Sequence, residues 1–187
     1  MTKRFIYNLK KLLENKRNIT IFPHKNPDGD AIGSCLALNH FLKKLGHNSN
    51  VISPNDYPDF LNWMPGIKNV LKFSSNKFFC EKLINESDIV FTLDFNSLKR
   101  VEILGDLIKK SKSTVVMIDH HENPEDFSKL TYSDPKIAST CEMTYNVLEK
   151  IKVDEIDWKI ASCLYTGIIT DTGSFKFPST SSRTHLI

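Results

Sequence analysis

Three short apolar runs constrain this chain most: "NITIF" at residues 18–22, "DIVFTLD" at 88–94 and "STVVMIDHH" at 113–121. Each is uncharged through its interior and rich in β-branched residues. Between them lie stretches whose apolar residues recur every three or four positions. Continuous apolar runs describe strands buried on both faces, and such strands alternating with helices build βαβ units. The expected fold class is therefore α/β, an open, mainly parallel β-sheet flanked by helices. "SNVIS" at 49–53 reads as a further strand.

The helical stretches follow the same logic. The stripe Phe5, Ile6, Leu9, Leu12 and Leu13 predicts an amphipathic helix over residues 4–15. A second helix is predicted over 31–45 and is closed by Gly46. "NKFFCEKLINES", "SLKRVEILGDLIKKS", "IASTCEMTYNVLEKI" and "VDEIDWKIASCLYTGIITDT" predict four more. "PNDYPDFLNWMPG" reads as a proline-punctuated connection with one helical turn and a tryptophan used in packing. "GSFKFPST" reads as irregular or a short strand, and "SSRTHLI" as the first turn of another helix.

Composition narrows the class without naming a function. A chain of 187 residues suffices for one domain with a sizeable core. The net charge of +3 accommodates an anionic substrate but lacks the clustered basic stripe of a non-specific nucleic-acid binder. Cys35, Cys80, Cys141 and Cys163 form no C-x-x-C pair, which argues against a zinc ribbon. Their apolar neighbours predict buried, reduced thiols and hence a cytoplasmic location. No apolar run approaches the roughly 20 residues that span a bilayer.

The polar residues then fall into a pattern. "NITIF" stops just before His24, Asp28 and Asp30; "DIVFTLD" ends on Asp94; "STVVMIDHH" ends on Asp119, His120 and His121. The C-terminal ends of parallel strands share one edge of the sheet, where ligands bind. A single aspartate there is more often a cap or turn residue. Carboxylates and imidazoles delivered by three strands are another matter. Unpaired carboxylates raise each other's pKa, and divalent cations neutralise them. Oxygen and imidazole donors without thiolate favour Mn²⁺, with Mg²⁺ or Co²⁺ as alternatives. The donors exceed the needs of one ion, so two ions about 3.5–4 Å apart are expected. Asp171, at the end of an apolar helix, reads equally as a ligand or as a plain loop residue.

"HKNPDGDAIGS", "LDFN", "DHH" and "TDTGSF" stand in that order between about residues 20 and 177. Together they resemble the four motifs of the DHH phosphoesterase superfamily, the RecJ-like group. The resemblance implies a DHH catalytic domain over residues 1–187 that hydrolyses phosphoesters through a metal-activated water. It implies one metal on His24, Asp28 and Asp94, and the other on Asp30, Asp94, His120 and Asp171, with Asp94 as the bridge. It also implies that Asp119 orients a histidine and that His121 contacts phosphate or donates a proton, so that Asp94, Asp119 and His121 form the catalytic group. "NWMPG", "LDFNSLKRV", "STCEMTY" and "TDTGSFKFPST" resemble the nanoRNase/pAp-phosphatase type. Its substrates are short RNA or DNA oligonucleotides and small nucleotide phosphates such as 3′-phosphoadenosine 5′-phosphate (pAp).

Two alternatives stand beside this reading. One is the manganese-dependent inorganic pyrophosphatase, whose loop tends to read "NPDTDS" where this one reads "NPDGDAIGS". The other is a non-catalytic nucleotide- or metal-binding module. No stretch matches the family's second domain with its basic, glycine-rich loop, so that substrate-binding domain is expected to be absent from this chain. A homodimer is expected from the relatives. Ser139 and Thr140 read as helix N-capping residues, and Arg100 as a helix residue facing solvent.

Overall fold

A computed structural model describes residues 1–187. Six strands form one sheet: β1 (Asn18–Phe22), β2 (Asn48–Ser53), β3 (Leu71–Lys72), β4 (Ile89–Leu93), β5 (Thr114–Asp119) and β6 (Leu130–Ser133). Six helices accompany them: α1 (Lys3–Leu12), α2 (Gly29–Lys44), α3 (Lys77–Asn85), α4 (Ile103–Lys110), α5 (Thr140–Lys152) and α6 (Trp158–Asp171). The strand order is β3-β2-β1-β4-β5-β6, and every pairing is parallel.

Alternation along the strands explains the layers. Ile19 and Ile21 of β1, Ile89, Phe91 and Leu93 of β4, and Val116 and Ile118 of β5 face one core. That core is completed by α1, α2, α5 and α6. Phe22 and Val90 turn to the other face, where they meet Cys80 and Ile84 of α3 and Leu104 and Ile108 of α4. Strands covered on both faces read as near-continuous apolar runs, and β4 is buried at all five of its residues, Thr92 being the one polar member. All four cysteines are buried free thiols. No helix is long and apolar enough to cross a membrane.

The order of winding positions the site. From β1 the chain winds outward through β2 to β3, then crosses back to β4 and winds the other way to β6. The connections on either side of the β1–β4 pair therefore diverge, leaving a crevice at the C-terminal ends of these two strands.

Several local expectations change. The edge strands β3 and β6 were not legible as strands: two and four residues carry too little pattern. The helix expected over 97–111 splits. Leu98–Val101 is a 3-10 turn, and Glu102, at φ 51°, breaks the path before α4. The helix expected from 153 begins instead at Trp158, because the Asp157 carboxylate accepts from the N–H groups of Lys159 and Ile160 and caps it there. Trp63 does not pack: it is 62% exposed, while Leu61 and Met64 fill the core from the same loop. Of the two readings of "GSFKFPST", the irregular one holds. Gly173, Ser174 and Phe175 take three successive left-handed conformations that curl the chain after α6, and "SSRTHLI" closes in turns.

Candidate metal centre

The β1–β4 crevice gathers the side chains. Asp94 follows β4 directly; its N–H still donates to Ile118 O at 3.1 Å, while its φ of 65° turns the chain off the sheet. Aspartate tolerates this region better than most residues. The turn holds a carboxylate that is 2% exposed between His24 on one side and His120 and His121 on the other. Asp94 Oδ2 lies 3.5 Å from His24 Nε2. Asp94 Oδ1 lies 3.6 Å from His120 Nε2.

On the first side, His24 Nδ1 lies 2.7 Å from Lys25 O. A carbonyl only accepts, so Nδ1 carries the proton and the Nε2 lone pair points at the crevice. Asp28 performs two tasks. Its Oδ1 accepts from the N–H groups of Asp30 and Ala31, each at 3.0 Å, capping α2. Its carboxylate also joins His24 and Asp94 in a group whose ligand atoms lie within 4.8 Å of one another. The capping and ligating readings of that aspartate are compatible.

On the second side, His120 Nδ1 lies 3.2 Å from Ile137 O, which fixes the same tautomer. Its Nε2 meets Asp171 Oδ2 at 3.2 Å and Asp30 Oδ2 at 3.9 Å. Asp30, His120 and Asp171 form a second such group. Asp30 sits in the first turn of α2 and is completely buried. It is reached because α2 and α6 cross closely. A Cβ on Gly33 would lie 2.5 Å from Cys163 O, and one on Gly167 would lie 2.8 Å from Asp30 Oδ1.

His121 is arranged differently. Its N–H donates to Asp119 Oδ2 at 2.9 Å, and its Nδ1 meets Asp119 Oδ1 at 2.8 Å. Asp119 is fully buried and serves His121, not His120. Although Asp94, His120 and His121 also cluster, the His121 nitrogen nearest Asp94 is this committed Nδ1, at 3.8 Å. The hydrogen bond to Asp119 raises the His121 pKa above the usual histidine range. Asn96 steadies the loop by donating from Nδ2 to the carbonyls of His121 and Glu122 at 3.0 and 2.8 Å.

No lysine or arginine pairs with these carboxylates; the basic side chains that meet them are histidines alone. Burial, with Asp94 and Asp171 nearby, holds the Asp30 carboxyl well above the usual range. Burial, with Asp28 and Asp171, does the same to Asp94. Asp171 is raised by burial, against the pull of His120. Buried carboxylates left without cationic side chains, facing imidazoles whose lone pairs are fixed, make a donor set that suits hard or borderline divalent cations.

A family model described as the DHH family, N-terminal domain, matches residues 18–168. The chain belongs to the DHH family. This family chain is 35% identical over 164 residues to a Thermus thermophilus protein named bifunctional oligoribonuclease and PAP phosphatase NrnA, covering 87% of this chain and 45% of that protein. It superposes on a Bacteroides fragilis exopolyphosphatase-related protein with a TM-score of 0.96 and 41% identity, covering 100% of this chain and 56% of that one. A structure of exonuclease RecJ bound to manganese shares the fold, with a TM-score of 0.56 at 14% identity over 94% of this chain and 43% of that one. The DHH-family chain thus spans about half the length of the relatives it matches.

Two contributors to the site were not legible as such. Thr140 reads from sequence as a capping residue, yet its hydroxyl donates to Asp94 Oδ1 at 2.9 Å. Asn96 stands inside the "LDFN" motif, but its task of holding the following histidine loop depends on a contact 25 residues away.

Proposed function

We propose that this chain is the DHH catalytic domain of a two-metal phosphoesterase acting on short oligonucleotides and on small nucleotide phosphates such as pAp. The observation that carries this reading is the division of Asp94, with Oδ2 toward His24 and Oδ1 toward His120. One divalent ion would be held by His24, Asp28 and Asp94, and a second by Asp30, Asp94, His120 and Asp171. Two such ions, Mn²⁺ first and Mg²⁺ or Co²⁺ after it, supply an activated water and offset the charge of the phosphoryl group.

The chain's own residues supply the rest. His24 and His120 have their Nδ1 protons fixed by carbonyls, so each turns an Nε2 lone pair inward without rearrangement. Asp119 holds the His121 ring through Nδ1 and favours its protonated form. His121 is more exposed than the other site histidines, which leaves Nε2–H available to a phosphate oxygen or to the leaving oxygen. Arg100, at the end of the 3-10 turn, makes no ion pair and lies near enough to oppose protonation of His121. It is a cation free to meet a substrate phosphate.

Membership of the DHH family and the name of the Thermus relative support hydrolysis of phosphate esters, and the Bacteroides relative's name supports phosphoryl hydrolysis more broadly. The grip on the remainder of the substrate is assigned to a second domain, and assembly to a homodimer. The test is release of phosphate from pAp and of mononucleotide from a dinucleotide with Mn²⁺ present, with pyrophosphate assayed alongside. Asp94→Ala should abolish turnover. Undiminished turnover by this variant, or turnover of pyrophosphate alone, overturns the proposal.

A further inference from the structure

The first turn of α5 lies where the two buried carboxylates meet. Thr140 N–H donates to Asp30 Oδ2 at 2.6 Å, and Cys141 N–H donates to Asp30 Oδ1 at 2.8 Å. The Thr140 hydroxyl, wholly buried, donates to Asp94 Oδ1 at 2.9 Å. One residue therefore touches both carboxylates through two different groups. The backbone contacts do not depend on side-chain identity, whereas the hydroxyl contact does.

Capping does not account for that hydroxyl. The cap of α5 is Ser139, whose Oγ accepts from Glu142 N–H at 3.0 Å. Glu142 does not close a capping box; its Oε2 accepts from the buried Thr184 hydroxyl at 2.8 Å. The start of α5 is thus anchored on two sides, and it presents the Thr140 hydroxyl to Asp94 from a fixed position. A carboxylate oxygen has two lone-pair sites. Asp94 Oδ1 can accept from Thr140 and keep one site toward His120, and Asp30 Oδ2 can accept from Thr140 N–H in the same way.

We propose that Thr140 is a positioning residue, whose hydroxyl sets the rotation of the Asp94 carboxylate and so fixes the spacing of the two cation pockets. The inference rests on the two-metal reading above. Groups that orient metal ligands typically change metal affinity about 10–100-fold when lost. Thr140→Val removes the donor and keeps the shape; Thr140→Ser keeps the donor.

The test titrates each protein with Mn²⁺ alone by calorimetry and records the electron paramagnetic resonance spectrum at saturation. Thr140→Val should lose about 10–100-fold in affinity at one site and show altered coupling between the two ions. Thr140→Ser should match the wild type in both. With pAp, Thr140→Val should lower kcat and leave KM unchanged. Should the valine variant fail to fold, Thr140→Ala repeats the comparison without a methyl pressed against Asp94. A hydroxyl-free variant that binds both ions with wild-type affinity and spectrum overturns the inference. So does an equal loss in Thr140→Ser, which would assign the effect to packing. A wild-type protein that takes up fewer than two ions removes the two-metal reading itself, and that result is visible before any variant is compared.

Discussion

At the scale of single residues, the adjacent histidines of the DHH motif separate by what holds their Nδ1 atoms. The His120 Nδ1 faces a main-chain carbonyl, which turns Nε2 toward Asp30, Asp94 and Asp171. The His121 Nδ1 faces the buried Asp119 carboxylate, which stabilises the protonated ring. The first environment suits a ligand and the second a proton donor. His121→Asn should therefore lower kcat on pAp about 10²–10⁴-fold, while calorimetry with Mn²⁺ gives wild-type stoichiometry and affinity. Loss of a bound ion in that variant would move His121 into the ligand set. The positive φ of Asp94 belongs to the same scale, since such backbone strain gathers at functional sites and is held by its surroundings.

At the scale of elements, the crossing of α2 and α6 governs the second pocket. Asp30 begins α2, Asp171 ends α6, and glycines where the helices meet let the two backbones approach. A methyl at Gly167 would strike Cys141 Sγ and Asp30 Oδ1. Gly167→Ala should destabilise the fold by about 1–3 kcal/mol, read from urea unfolding, because overpacking forces neighbours apart. It should also weaken Mn²⁺ binding, since the displaced Oδ1 belongs to the carboxylate whose other oxygen, Oδ2, faces His120. A variant with unchanged stability and unchanged affinity would show that the crossing has slack. The α2 N-terminus adds a second coupling: Asp28 caps the helix whose next residue but one is Asp30, so one tight loop aims both side chains.

At the scale of the whole molecule, the sheet brings together residues as far apart as His24 and Asp171 at the point where its winding reverses. The fold is built around carboxylates that it does not neutralise with its own lysines or arginines. Mn²⁺ at 100 times its dissociation constant should stabilise the folded chain by about 2.7 kcal/mol per site. For a chain of this size that amounts to about 5–10 °C in Tm per site, measured by thermal denaturation against a chelator-treated sample. Folding raises the Asp30, Asp94 and Asp171 pKa values above those of the unfolded chain. Without metal, the share of stability tied to these groups is present in acid and is lost as pH rises through the folded pKa values. The gain from a fixed concentration of Mn²⁺ should accordingly grow with pH until these carboxylates have lost their protons. A gain that stays constant from the acid range upward would mean that these carboxylates do not bind the ion.

The α/β class, the four inner strands and the shared edge at which His24, Asp28, Asp30, Asp94, His120 and His121 would emerge were all legible in the amino-acid sequence. These follow from local apolar periodicity, which is written into neighbouring residues, and from the rule that parallel strands end on one side. The sequence also carried the four motifs by which the DHH family is recognised. The packed chain was needed to show that Asp94 is divided between His24 and His120, that Asp119 serves His121, that Asp171 meets His120, and that Thr140 reaches Asp94 from 46 residues away. All of these but the Asp119–His121 pair, two residues apart, depend on contacts between segments distant in the chain. Such a contact leaves no periodic trace in either segment, and it exists only once helices and sheet have packed.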